Sequence, residues 1–102
     1  MQKTENKWVE IISVRLSRPE HQDKIREIID HVRAGRCPVT GKRIAVELYV
    51  DQALEMDWSI HLPRNETHGR PGKTVLGSNI AELFETLGLV NHKVWHGIKP
   101  AD

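Results

Sequence analysis

The sequence has few of the residues that mark several classes of protein. Its 102 residues include one cysteine, Cys37, so no disulfide can form within the chain. No apolar run approaches the roughly 20 residues of a membrane span, and residues 1–7 are polar, unlike a signal peptide. The formal net charge of +1 provides no strong field to attract nucleic acid or anionic lipid. We therefore expect a soluble, cytoplasmic protein with neither a nucleic-acid nor a membrane partner.

The hydrophobic periodicity predicts six elements in the order strand, helix, strand, strand, helix, strand. A chain of this length is typical of one domain, taken here as residues 1–102, that can bury a modest core without disulfides or metal. Strands have apolar residues at every second position and helices have them every three or four. The predicted strands are 8–16, 44–51, 55–62 and 91–98, and the predicted helices are 19–34 and 75–87.

This β-α-β-β-α-β order predicts an α+β, ferredoxin-like fold, with a four-stranded antiparallel sheet and both helices on one face. For the first helix, Ser17 and Glu20 are spaced as a capping box, and Gly35 is the expected end. For the second, Thr74 or Ser78 is the expected N-cap and Gly88 the expected end. The apolar stripe of the second helix is predicted to comprise Leu76, Ile80, Leu83, Phe84 and Leu87.

The first strand differs from the others because both of its faces are apolar. Val9 and Ile11 point to one side, whereas Trp8, Ile12, Val14 and Leu16 point to the other. Such strands are usually buried on both faces, and the predicted elements leave none to cover the sheet opposite the helices. Tyr49 and Trp95 also fall on that uncovered face. We therefore expect a homodimer that pairs sheet against sheet around a partly polar interior.

Two sequence segments, together with the order of elements, resemble those of a known protein family. Residues 72–77 (GKTVLG) enter the second helix, and residues 87–95 (LGLVNHKVW) lead from it into the last strand. With the element order, these segments resemble the antibiotic-biosynthesis-monooxygenase-like domains of the dimeric α+β barrel superfamily. The resemblance implies a dimer with facing sheets and a pocket between sheet and helices. It also implies oxygenation of phenolic or quinol substrates without metal or flavin, so no cofactor is expected. Haem-degrading members carry a histidine on the second helix, which residues 75–87 lack.

Oxygenation without a cofactor requires a base to form the substrate anion, donors to stabilise it, and an apolar pocket. The chemically suitable residues are predicted to be His61, Tyr49 and Asn91 for catalysis and Trp58, Trp95 and Asn65 for substrate binding. His61 is the leading candidate because histidine is the side chain best suited to acid–base catalysis. Structural roles compete: Trp58 lies on an apolar strand face typical of the core, and Trp95 equally suits a dimer contact.

Other motifs are less consistent with function. His92 and His96 would lie about 13 Å apart on a strand, too far to bind one ion, and we expect edge or core roles for both and no metal site. Residues 72–74 (GKT) end like a phosphate-binding loop, but Thr67 stands where that motif needs glycine. Cys37 is expected to be a surface or half-buried structural thiol. The polar loop 63–73 could cover one mouth of the dimer interior.

Two functional hypotheses remain open. The first is a cofactor-independent monooxygenase acting on a small aromatic or quinol-type compound. The second is a non-catalytic dimeric module that binds a small molecule or only assembles. An RNA-binding sheet surface is disfavoured because Glu47, Asp51 and Asp57 are acidic residues assigned to the uncovered face.

Overall fold

The predicted order of elements is confirmed. The structure, a computed structural model, describes residues 7–37, 41–65 and 68–98; parts of the predicted 36–43 connection and of the 63–73 loop lie outside these ranges. The strands are β1 (Lys7–Leu16), β2 (Glu47–Val50), β3 (Asp57–Asn65) and β4 (Gly88–His96), and the helices are α1 (His21–Arg33) and α2 (Val75–Glu85). Neither helix in the described ranges is long and apolar enough to cross a membrane.

The strands form one antiparallel sheet in the order β2-β3-β1-β4, consistent with the expected α+β ferredoxin-like fold. Both helices pack on one face of this sheet. Ile25 and Ile29 of α1, and Ile80 and Phe84 of α2, are fully buried there. The core cluster comprises Ile12, Val14, Leu16, Ile25, Ile29, Trp58, Ile60, Leu62, Ile80, Ala81, Phe84 and Leu87.

No helix of the described residues lies on the opposite face of the sheet, which is called the helix-free face. By strand alternation and register it presents Val9, Ile11, Ser13, Arg15, Glu47, Tyr49, Asp57, Ser59, His61, Pro63, Leu89, Asn91, Lys93 and Trp95. Tyr49 is 50% exposed and Trp95 57% exposed. Val9 and Ile11 are only partly buried. The described chain thus leaves a face with exposed aromatic and partly covered aliphatic side chains.

The predicted capping box at the start of α1 is wrong. Glu20 precedes the helix in a helical conformation, without a side-chain capping bond. The residues before α1 form tight turns in place of a side-chain cap, and the amide of His21 donates to the carbonyl of Arg18. The Ser17 hydroxyl donates to the carbonyl of Leu87, 3.1 Å away. The Ser17 side chain therefore forms a hydrogen bond between the end of β1 and the residues that follow α2.

Two features predicted for α2 also need correction. Leu83 is 51% exposed, because the buried face of the helix runs through Gly77, Ile80, Ala81 and Phe84 instead. Gly88 is the first residue of β4 and does not adopt positive φ. A side chain there would collide with the backbone carbonyl of Arg15. The lack of a side chain at position 88 therefore lets β4 approach β1 closely. Gly35 likewise lacks the positive φ expected of a left-handed helix cap.

Candidate functional site

A row of polar side chains crosses the centre of the helix-free face. The strand register aligns Tyr49 with Ser59, Ser59 with Ser13, and Ser13 with Asn91. These four residues, which come from all four strands, line an open depression of about 480 Å³. Residues at its other side include Arg15, Asp57 and Leu89. Two of the predicted catalytic residues, Tyr49 and Asn91, therefore lie in the same depression.

His61 lies one row away from this depression, opposite Glu47 and Ile11. Its ring centroid is 4.6 Å from that of Tyr49, with a tilt of 46° between the planes. The Nε2 atom is 2.9 Å from the Ser59 hydroxyl oxygen. A histidine held by a hydroxyl and an aromatic ring has a restricted orientation, and a partly exposed imidazole can exchange a proton with a nearby group.

Arg15 and Asp57 form an ion pair at the rim of the depression. The Nε of Arg15 donates to Oδ1 of Asp57 at 2.8 Å, and an Nη atom donates to Oδ2 at 3.1 Å. This hydrogen-bonded guanidinium lowers the pKa of Asp57, and the carboxylate raises the pKa of Arg15. The pair keeps two opposite charges beside the polar row.

The predicted substrate-binding residues are not brought together. Trp95 is on the helix-free face opposite Val9, beyond the row that contains His61. Trp58 is on the opposite face, in the core, where its Nε1 donates to the carbonyl of Glu55 and Arg26 lies over its ring. Asn65 ends β3, and its side-chain oxygen is 3.2 Å from Nδ1 of His68.

A buried carboxylate that sequence reasoning missed anchors the start of α2. Glu10 is fully buried and accepts hydrogen bonds from the Thr74 amide (2.9 Å) and hydroxyl (2.7 Å), while His92 Nε2 lies 2.6 Å away. Thr74 is the N-cap, and its hydroxyl oxygen accepts from the Gly77 amide at 3.0 Å. The prediction of a core or edge role for His92 is confirmed. Glu10 is the one charged residue among alternating apolar positions of β1, a signal present in the sequence.

Beside the start of α2 lies a second recess, called here the α2 cleft. It combines a depression of about 200 Å³, lined by Cys37, Ile44, Arg64, His68, Thr74, Val75 and Leu76, with an adjoining one of about 330 Å³. Both depressions share Cys37, Ile44, Arg64 and His68. Cys37 is buried and not at the surface or half-buried as predicted. Arg64 was not singled out from the sequence, because a lone arginine near a strand end gives no periodic signal.

Within the described ranges, no group of three or more histidine, cysteine, aspartate or glutamate side chains could hold a metal ion. No protein family, curated protein or solved structure matches the chain.

Proposed function

We propose that this protein is a homodimeric, cofactor-independent monooxygenase-like protein that acts on a small aromatic or quinol-type compound, and that its two copies pair through their helix-free faces. The supporting observation is the exposure of Tyr49 and Trp95 beside the partly buried Val9 and Ile11 on a single sheet face. Large exposed apolar patches commonly mark interaction surfaces. Pairing two such faces would enclose the polar row of each copy and exclude bulk water from it.

The proposed ligand is a small phenol or quinol. An aromatic body matches the ring of Tyr49, and the hydroxyl and amide groups of Ser13, Ser59 and Asn91 can bind a phenolic oxygen. His61 lies beside this row and can take the phenolic proton. The resemblance to cofactor-independent monooxygenases motivates the same substrate class.

The reaction that these groups would support is oxygenation by molecular oxygen. Once His61 has removed the phenolic proton, the phenolate passes one electron to oxygen, and the resulting phenoxyl radical and superoxide combine at ring carbon. Loss of water from that peroxide leaves a quinone. One oxygen atom enters the substrate and the other leaves as water, and all four electrons come from the phenol.

Oxygen uptake, measured with a panel of phenols and hydroquinones, tests the catalytic proposal. For a supporting substrate, His61→Ala should reduce turnover by roughly 10²- to 10⁴-fold, the usual effect of removing a positioned acid–base group. His96→Ala is the matched control, because His96 is an exposed histidine on the other side of β4. Equal turnover in both folded variants would contradict the role of His61.

A non-catalytic dimeric module is the second candidate. The contact between the rings of Tyr49 and His61, and the hydrogen bond between His61 and Ser59, are interactions in which these side chains satisfy one another. Such contacts also occur where side chains fill an interface. If no phenol or hydroquinone supports oxygen uptake by the unaltered dimer, this second function replaces the first.

A further inference from the structure

The acidic and basic side chains that the strands present on the helix-free face are segregated by sign. Lys7 and Arg15 lie on β1 and Lys93 on β4, whereas Glu47 lies on β2 and Asp57 on β3. In the strand order β2-β3-β1-β4, each neighbouring pair of strands therefore carries charges of one sign. The half formed by β2 and β3 is called the acidic half, and the half formed by β1 and β4 the basic half.

Glu47 and Lys93 belong to the same row of this face but cannot meet within one chain. The register aligns Glu47 with His61, His61 with Ile11, and Ile11 with Lys93. Because β2 and β4 are the two edges of the sheet, about 14 Å separates these residues at ~4.8 Å from strand to strand. Glu47 and Lys93 are exposed, and neither side chain forms an ion pair or hydrogen bond within the described chain. Both charges can therefore bind a second molecule.

Pairing of two helix-free faces requires a two-fold axis between the two sheets, because closed homodimers are symmetric. An axis parallel to the strands, midway between β1 and β3, places β2 over β4 of the partner subunit and β3 over its β1. Each row then keeps its level along the strands. Glu47 faces Lys93 of the partner subunit, and Asp57 faces Arg15 of the partner subunit. Each acidic half thus lies on the partner's basic half.

The side chains in these pairs are long enough to meet across the interface. Facing sheets pack about 10 Å apart, and the arginine, lysine and glutamate side chains extend well into that gap. Arg15 already donates to Asp57 within one copy, so the axis brings two such pairs together with opposite charges facing. Because a two-fold contact occurs twice, Glu47 and Lys93 form two equivalent pairs, one at each edge of the interface.

Other positions of the axis oppose like charges or leave charges without partners. An axis perpendicular to the strands and level with Glu47 would place Glu47 and Lys93 each against the same residue of the partner subunit. Moving that axis by half a row would place both charges against the neutral row that contains Ser13. Like charges brought together oppose association, and a charge that loses its water without gaining a partner is costly. The axis parallel to the strands avoids both.

We propose that the two copies pair about this axis, acidic half on basic half, and that each copy completes the polar row of the other. This inference rests on the pairing of helix-free faces in the proposed function. Asn91 of the partner subunit lies over Tyr49, and Ser13 of the partner subunit lies over Ser59. The two depressions face each other and form one chamber lined by both copies, so a ligand there contacts residues of both.

Reversal of charge tests the arrangement by sedimentation equilibrium. Glu47→Lys and Lys93→Glu should each weaken dimerisation at least about tenfold, because each variant places two pairs of like charges in the interface. A 1:1 mixture of the two variants should dimerise like the unaltered protein, since their heterodimer contains only opposite charges at these positions. The double variant Glu47→Lys with Lys93→Glu should also dimerise, and it keeps the net charge of the unaltered chain.

Glu82→Lys is the matched control, because Glu82 is exposed on α2 and the substitution makes the same change of charge on the other side of the sheet. It should leave the dimer unchanged. Single variants that dimerise like the unaltered protein, or a mixture that stays monomeric, would overturn the arrangement. If a single variant does not fold alone, the mixture and the double variant still decide, because both restore every pair of opposite charges.

The outcomes also separate this inference from the proposed function. A dimer that Ile11→Arg disrupts, but that neither reversal of charge weakens, would keep the pairing of helix-free faces and refute only this axis. A monomeric unaltered protein would contradict the pairing itself.

Discussion

The carboxylate of Glu10 occupies the space that a side chain at position 77 would need. Gly77 is in the first turn of α2, and a Cβ atom there would overlap the carboxylate. The absence of a side chain lets β1 and α2 approach closely enough for Glu10 to bind Thr74. Glycine is therefore required at this helical position by packing and not by backbone conformation, since its φ is not positive.

Gly77→Ala should destabilise the protein by about 1–3 kcal/mol, the usual result of overpacking, although alanine favours helices by about 1 kcal/mol. The added methyl group would displace Glu10 from Thr74. Urea denaturation measures the free energy of unfolding. Gly72→Ala is the control, because nothing lies within 4 Å of a Cβ built there. Equal stability of the two variants would show that the carboxylate can move aside freely.

Glu10→Gln should lower the free energy of unfolding by about 1.5–3 kcal/mol, the range for hydrogen bonds to a charged group. The substitution keeps the shape of the side chain but removes the charge that binds Thr74 and His92. Chemical denaturation provides the measurement. The exposed Glu27 on α1 offers the control Glu27→Gln, which should change stability by less than about 0.5 kcal/mol.

The structure predicts different losses of stability for one isoleucine and one leucine substitution, whereas the sequence predicts the same loss for both. In the sequence, Ile29 lies on an apolar stripe of the first helix and Leu83 on that of the second. This spacing predicts a loss of about 2–5 kcal/mol for both Ile29→Ala and Leu83→Ala. Ile29 is fully buried, so Ile29→Ala should lower the free energy of unfolding by an amount in that range. Leu83 is 51% exposed, so Leu83→Ala should lower it by less than about 1 kcal/mol. Comparable losses measured by denaturation would mean that the outer side of α2 is covered.

The ion pair between Arg15 and Asp57 should affect stability only above the acid range. Because the pKa of Asp57 is lowered from its ordinary value of 3.8, the pair favours the folded state above about that pH. The effect is lost as pH falls through the lowered pKa. Asp57→Asn should thus be less stable than the unaltered protein near neutral pH, with a difference that shrinks in acid and in high salt. Thermal melts across pH would measure it, and a difference independent of pH would contradict the assignment.

Pairing through the helix-free faces predicts a homodimer at micromolar concentration, with an interface of over ~2,000 Å² in total. Ile11→Arg would place an unpaired charge in that interface and should yield a folded monomer by sedimentation equilibrium. The control, Leu83→Arg, adds the same charge at an exposed helical position and should remain dimeric. A monomeric unaltered protein would contradict the pairing.

The sequence by itself determined the order of elements and most of their inward faces, because alternation and helical spacing are local properties. It also placed Tyr49, His61 and Trp95 on one sheet face. The tertiary structure decided which strands are neighbours, and thus aligned Tyr49, Ser59, Ser13 and Asn91 in one row. It also set the rotation of α2 that exposes Leu83.

Long-range contacts were beyond the reach of local patterns. Glu10 and Thr74 are 64 positions apart, and nothing near either residue in sequence specifies the other. The pairing of Trp8 with Arg64 depends equally on strand register. Register and helix rotation arise from packing of the whole core, where side chains must fit together in three dimensions. The two candidate sites therefore became visible only when distant segments of the chain were brought together.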